Sequence, residues 1–205
     1  MKKGENSEPF FTSIYLKGEP ENKNVSGSVT EDRLINRCKD NDWAAQKELY
    51  NKYAPKMMGV CLKYLKNRET AEDALQEGFM TVFTKIGTFR HQGSFEGWMR
   101  RIFVNISCDY LRKSKNLVVF ENLEDSAPFT DNELNALERL ERDELMETIS
   151  ELPDHYRAVL ALRAIEGYTF EEIAVMLKTR TAACKSTYYR ARHLFGDLLR
   201  YKHLI

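Results

Sequence analysis

The segment from Phe95 to Lys115, FEGWMRRIFVNISCDYLRKSK, repeats its apolar residues every three or four positions, which commits it to a helix with two unlike faces. At about 100° per residue, Phe95, Met99, Ile102, Phe103, Ile106 and Tyr110 form one apolar stripe. Trp98, Arg101, Asn105, Asp109 and Arg112 follow one another in a second stripe beside it. An aromatic face, two guanidinium forks and an amide that both donates and accepts suit phosphates and bases lifted out of a duplex. The same pattern also describes an amphipathic helix whose solvated face is basic. Arg100, Lys113 and Lys115 add charge, and the lysines sit well at the negative end of the helix dipole.

The helical period recurs along most of the chain. Thr30 can cap a helix through Leu34, Ile35 and Cys38, and Asp42 a longer one whose stripe is Trp43, Leu49, Tyr50, Tyr53, Met57, Val60, Cys61, Tyr64 and Leu65. A third runs from about Glu69 to Ile86, with Ala71, Ala74, Leu75, Gly78, Phe79, Val82, Phe83 and Ile86 apolar. Its other face carries Glu72, Asp73, Gln76 and Glu77, a set that reads as a solvated face because no histidine or second carboxylate motif matches it. The link GTFRHQGS, Gly87 to Ser94, is short and polar, and Ser94 can cap the helix that follows. Residues 116–136 lose the period, contain Pro128 and are rich in acids, so they read as a flexible acidic linker.

A second helical domain is expected over residues 137–205. Leu137, Leu140, Leu145 and Ile149 share one helix face, and Tyr156, Val159, Leu160, Leu162 and Ile165 form the next stripe, stopped by Gly167. Thr169 and Glu172 form a capping box before Ile173, Ala174 and Leu177. A tight turn and a basic helix with Tyr188, Ala191, Leu194 and Leu198 complete a helix-turn-helix. The expected fold is therefore all-α: a four-helix domain over 30–115 and a C-terminal helix-turn-helix domain joined by the linker. Residues 1–29, with an apolar knot at Phe10, Phe11, Ile14, Tyr15 and Leu16, read as a flexible extension or as a short docking peptide.

Formal net charge is zero, with 31 basic and 31 acidic residues, so only its distribution points to a polyanion. Five basic residues between Trp98 and Lys115 face Asp109 alone, and seven between Lys178 and Lys202 face Asp197 alone. Between them, Glu121 to Glu151 holds eleven acids against Arg139 and Arg142. Two basic blocks around an acidic one imply two nucleic-acid contacts joined by a segment that avoids nucleic acid or imitates it. Cys38, Cys61, Cys108 and Cys184 form no C-x-x-C pair and the four histidines have no metal-ligand spacing with them, so reduced, buried thiols and no metal or other cofactor are expected. No apolar run approaches the ~18 residues of a membrane span, which implies no membrane insertion and a cytoplasmic location. The sequence also lacks a nucleophile–base pair, a P-loop and a glycine fingerprint, which argues against an enzyme.

The pattern Phe95, Trp98, Arg101, Ile102, Asn105, Asp109, Arg112 resembles the promoter-melting helix of bacterial RNA polymerase sigma factors, in the extracytoplasmic-function group of the sigma-70 family. The resemblance extends over roughly residues 30–115 and 138–200. It implies an alternative sigma factor whose partners are core RNA polymerase, promoter DNA and an anti-sigma factor or other recruiting protein. AEDALQEGFMTVF is similar to the segment that grips the clamp helices of the polymerase's largest subunit, which implies that role for Asp73, Gln76, Glu77 and Phe79. It implies minus-10 binding and melting for Phe89, Arg90, Phe95, Trp98, Arg101, Asn105, Arg112 and Lys113. Phe89, Arg90, His91 and Phe95 can recover the cost of base extrusion, although for His91 a plain loop position is the simpler reading. The linker would thread the active-site and RNA-exit channels, and the second domain would meet the flap of the second-largest subunit and the minus-35 element.

ELPDHYRAVLALRAIEGYTFEEIA closely resembles the minus-35-reading domain, which implies DNA contact by Arg180, Thr181, Lys185, Ser186, Tyr189, Arg190 and Arg192. Here the chain departs from the family pattern. Lys178 and Thr179 stand where a glycine and an apolar plug are usual, and the recognition tip is Thr181, Ala182, Ala183 and Cys184, with little bidentate capacity. Weak minus-35 readout is therefore expected, with help from another DNA-bound partner. The alternative reading is a stand-alone helix-turn-helix regulator, against which the first-domain pattern argues.

Overall fold

The computed structural model describes residues 25–113 and 142–202, which form two separate compact units. Every regular element in them is helical. The first unit holds α1 (Val25–Lys39), α2 (Trp43–Tyr64), α3 (Arg68–Lys85) and α4 (Phe95–Lys113), with a 3₁₀ turn at Ile86–Thr88 after α3. The apolar knot near the N-terminus and the acidic linker lie outside the described residues, as do Leu137 and Leu140.

Local chemistry sets most of the helix starts. Asp42 accepts from the backbone N–H groups of Ala44 (2.9 Å) and Ala45 (3.2 Å), and Asn67 caps α3 by accepting from Glu69 and Thr70. Asp42 is also held by Arg37 at 2.7 Å, and this guanidinium, with the two backbone donors, keeps its carboxyl below the usual range. Thr30 is not a cap. The helix begins at Val25, because once a helix has nucleated each further residue gains a hydrogen bond for little added ordering.

The core lies where α2, α3 and α4 meet. Leu49, Met57, Val60 and Tyr64 face Ala71, Ala74, Phe79 and Val82, with Met99 and Phe103 between them, all at most 3% exposed. The contact of α3 with α4 is close because Gly78 has no side chain: a Cβ there would come within 2.1 Å of the Phe103 ring. Of the expected stripe residues in this unit, Phe83, Ile102 and Tyr110 are half-buried and two are exposed. Trp43 is 71% exposed at the first turn of α2, where Lys47 lies over its ring, and Tyr50 is 39% exposed while packing on Phe79 at 4.6 Å. Both satisfy the helical period but sit at the margin of the buried arc.

The second unit holds α5 (Arg142–Glu151), α6 (Asp154–Leu160) widening into a π-helical turn at Ala161–Ile165, α7 (Phe170–Leu177) and α8 (Thr181–Tyr201). Leu145 and Ile149 are buried as expected, and Gly167 ends the third element at φ +78°. Along α8 the buried stripe is Cys184, Thr187, Ala191, Phe195 and Leu199, not Tyr188, Leu194 and Leu198, which are half-buried. The buried arc keeps Ala191 and otherwise falls on neighbours of the expected residues, a rotation of less than the ~100° that separates adjacent residues. All four cysteines are free and buried, and burial pushes the thiols of Cys38, Cys61 and Cys184 up to about 11, which leaves them unreactive at neutral pH.

The buried Arg157, 1% exposed, is the least expected feature. Its guanidinium donates to Asp154 at 2.8 Å and to the carbonyls of Leu152 at 3.1 Å and Ser150 at 3.5 Å, so it closes the end of α5 from the next helix.

Replacing Gly78 by alanine forces Phe103 to move within a packed core. Gly78→Ala is expected to destabilise the protein by about 1–3 kcal/mol, read as a lower thermal unfolding temperature.

Candidate nucleic-acid interface

The loop between the 3₁₀ turn and α4 is held at both ends. The Phe89 N–H donates to Ile86 O, the Ser94 hydroxyl caps α4 by accepting from Gly97 N–H at 3.0 Å, and Trp98 N–H donates to Ser94 O. His91 at φ +57° and Gly93 at φ +114° turn the chain between them. The result is a cavity of about 350 Å³ lined by Thr88, Phe89, Arg90, Gln92, Gly93, Ser94, Gly97, Trp98 and Arg101. That is at the small end of ligand pockets.

Aromatic rings build its floor. Phe95, 2% exposed, stacks on Trp98 at 5.4 Å and meets Phe89 edge-on at 5.1 Å, and Phe89 is 5.6 Å from Trp98. Tyr53 on α2 closes on Phe95 from behind at 5.9 Å. Phe89 and Phe95 are therefore core residues that support the pocket, while half-buried Trp98 and the exposed Arg90 and Arg101 form its accessible wall. A flat planar ligand with hydrogen-bonding edges and an adjacent phosphate matches that lining. Gln92, Gly93 and Gly97 were not foreseen as lining residues. The signal available for them was the Gly-Ser pair just before a helix start.

From the pocket the exposed stripe continues along α4. Asn105 is exposed and donates one amide hydrogen to Arg101 O at 2.8 Å, and exposed Lys113 lies over the Tyr110 ring at 5.3 Å. Arg112 is held by Asp109 and only 22% exposed, so its fork is engaged rather than freely presented. On α3, Asp73, Gln76 and Glu77 are exposed on one face, as expected of a docking surface. Phe79 is not on that face: at 3% exposed it packs between Tyr50 and Phe103, because its position falls on the inner arc of the helix.

In the second unit the capping box forms as expected: Thr169 Oγ1 accepts from Glu172 N–H and the Glu172 carboxylate accepts from Thr169 N–H at 2.7 Å. Lys178 adopts the left-handed conformation, φ 51° and ψ 49°, and Thr179 N–H reaches Ala174 O at 2.9 Å in a Schellman-type stop. Arg180, Ala182, Lys185 and Tyr189 are exposed, and Thr181, Arg190 and Arg192 are half-buried. Ser186 is 3% exposed and donates to Ala183 O, so it is not available to DNA; it lies on the buried side of the helix. Ala183 and Cys184 are buried too, which narrows the tip further. A basic-aromatic cluster that includes the unforeseen Arg163 and Phe170 lies beside it. Arg163 and Lys185 lie over the Phe170 ring at 4.9 and 6.0 Å, Tyr188 meets Phe170 edge-on at 5.5 Å, and Arg192 lies over Tyr188 at 5.8 Å.

The two units coincide with two matches to known families. The model for "Sigma-70 region 2" matches residues 49–116, and that for "Sigma-70, region 4" matches residues 142–193. Among similar proteins, the RNA polymerase sigma-H factor of Pseudomonas aeruginosa is 29% identical over 182 residues, covering 82% of this chain and 93% of its own length. The ECF RNA polymerase sigma-E factor of Haemophilus influenzae is 27% identical over 188 residues, covering 84% of this chain and 97% of its own. A solved structure of the sigma factor RpoE with the anti-sigma factor NepR from Bartonella quintana aligns over 75% of this chain and 96% of that one, at 19% identity and a TM-score of 0.44.

The turn between α7 and α8 carries a measurable cost. Lys178→Gly removes the Cβ clash of a left-handed residue and is expected to stabilise the protein by on the order of 1 kcal/mol, raising the unfolding temperature by a few degrees.

Proposed function

The chain belongs to the sigma-70 family of bacterial RNA polymerase sigma factors, in the extracytoplasmic-function group, and from that premise we propose how its residues divide the work. It is an alternative sigma factor that directs RNA polymerase to promoters and starts transcription there, not a stand-alone regulator. In our reading the first domain grips core polymerase and opens the minus-10 element, and the second anchors upstream duplex. The acidic linker between them runs through channels otherwise filled by nucleic acid.

The observation that carries this reading is the cavity beside Trp98. A base turned out of the duplex loses stacking and pairing, and a ring-floored pocket with Arg90 and Arg101 at its wall can return both stacking and phosphate contact. Asn105 and Lys113 continue the path for the separated strand along α4. Asp73, Gln76 and Glu77 take the clamp helices of the largest subunit, with Phe79 supporting the face from within. Arg112 contributes once Asp109 yields it.

In the second domain Arg180, Lys185, Arg190 and Arg192 neutralise phosphates, Thr181 and Tyr189 approach base edges, and α5 to α7 meet the polymerase flap. A tip reduced to Thr181 and Ala182 supports weak minus-35 readout and reliance on a second DNA-bound protein. An anti-sigma factor is proposed as a further partner, in the cytoplasm, where such a factor would act without an enzymatic activity of its own. No helix among the described residues is long and apolar enough to cross a membrane.

Core-dependent opening of a fluorescent promoter duplex tests the reading. Trp98→Ala combined with Asn105→Ala is expected to reduce melting at least roughly tenfold while core binding in sedimentation stays at the wild-type level, since each lost stacking contact is worth about 1–3 kcal/mol. Undiminished melting would refute the assignment of α4. Substitutions across the minus-35 element are expected to alter open-complex formation less than those in the minus-10 element; abolition of open complexes by minus-35 changes would overturn the weak-readout proposal.

A further inference from the structure

His91 was grouped with the residues that receive a base, yet it does not line the cavity. Its ring lies against Phe89 with centroids 4.6 Å apart, and its Nδ1 is 3.3 Å from the Asp32 carboxylate on α1. The residues on either side of this contact belong to different machinery. Phe89 and Arg90 line the pocket, whereas α1 packs on α2 and on the 3₁₀ turn and offers no group to the pocket.

We propose that His91 is a positioning residue for strand separation: it latches the pocket loop to α1 through Asp32 and so holds Phe89 and Arg90 in the geometry that receives an extruded base. The inference rests on the reading of the cavity as a base pocket. Three observations carry it. First, His91 is a non-glycine residue at φ +57°, a conformation that glycine would adopt more readily, while the loop does use glycine two positions later at φ +114°. Second, the ring and the Nδ1 atom are both engaged, one on the pocket's floor residue and the other on a separate helix, so the side chain ties the middle of the loop to α1 in addition to the packing of α1 on the 3₁₀ turn. Third, both partners of the His91–Asp32 contact remain about half exposed, 45% for His91 and 52% for Asp32. Such a contact adds little to global stability. Its effect falls on the loop itself, between the hydrogen bonds that hold its two ends.

The experiment compares the wild type with His91→Gly, Asp32→Ala and the double variant, each with core polymerase and fluorescent promoter DNA. Glycine keeps the left-handed backbone and removes the latch, so a purely conformational role predicts a protein at least as active as wild type. The proposal predicts an unfolding temperature and core affinity for His91→Gly that match or exceed those of the wild type, with promoter melting reduced about five-fold. It further predicts a similar loss for Asp32→Ala and no greater loss in the double variant, because either change opens the same latch. Undiminished melting by His91→Gly overturns it, as do losses that multiply in the double variant. Trp98→Ala, run in parallel, separates the two levels of the argument. If Trp98→Ala is defective and His91→Gly is normal, the latch is wrong and the base pocket stands; if Trp98→Ala melts normally, the base pocket falls and the latch with it.

Discussion

The first domain depends on one ring. Phe95 sits in the first turn of α4, almost wholly buried, and touches Tyr53 behind it, Phe89 beside it and Trp98 in front. Edge-on and offset contacts of this kind fix ring orientation as well as burying area. The start of α4, the end of the loop and the face of α2 are thereby set by the same side chain. Lys56 on α2 adds an outer tie to Glu96 at 2.8 Å, but an exposed pair of that sort is worth little beside the rings. Trp98 presents a flat ring at the cavity wall because the ring behind it is buried and packed.

The second domain shows the same economy with charge. Its cations are placed by aromatic rings: Arg163, Lys185 and Arg192 each lie over Phe170 or Tyr188. A guanidinium or ammonium laid on a ring loses part of its rotamer freedom before any phosphate arrives, which lowers the ordering cost of binding a backbone.

What the sequence disclosed and what it hid divide along the range of the interactions. Asp42, Ser94 and the Thr169–Glu172 box were legible because each cap involves neighbours two or three positions apart. Helical period located most of the α4 apolar stripe, Phe95, Met99, Phe103 and Ile106, but it included half-buried Ile102 and Tyr110 and left out the buried Val104, Cys108 and Leu111. The errors lie at the edges of stripes or in tertiary contacts. Phe79, apolar by helical period but placed by the resemblance at a docking surface, is buried, as is Ser186; Trp43 was expected inside and is exposed, and the α8 arc is rotated by less than one residue. A rotation of that size is within the tolerance of a 3.6-residue period and decides which of two adjacent residues meets solvent. The cavity beside Trp98 was anticipated only through the family pattern; its glycine-lined mouth depends on loop geometry that periodicity does not encode.

Arg157 bears on how such domains can be exchanged. Its charge is satisfied by Asp154 in its own helix and by carbonyls at the end of the preceding one, so α5 and α6 share a single buried ion. Those carbonyls belong to the backbone, so what Arg157 demands of α5 is where its chain ends; a change in the length of the α5–α6 junction would strip a buried charge of partners, among the most destabilising lesions a small domain can carry. Lysine would not substitute, since one ammonium cannot span a carboxylate and two carbonyls with planar, divergent donors. As regards this ion, exchange of α5 between related domains, natural or engineered, is therefore governed by the length of the junction and by the Asp154–Arg157 pair, not by the side chains of Ser150 and Leu152.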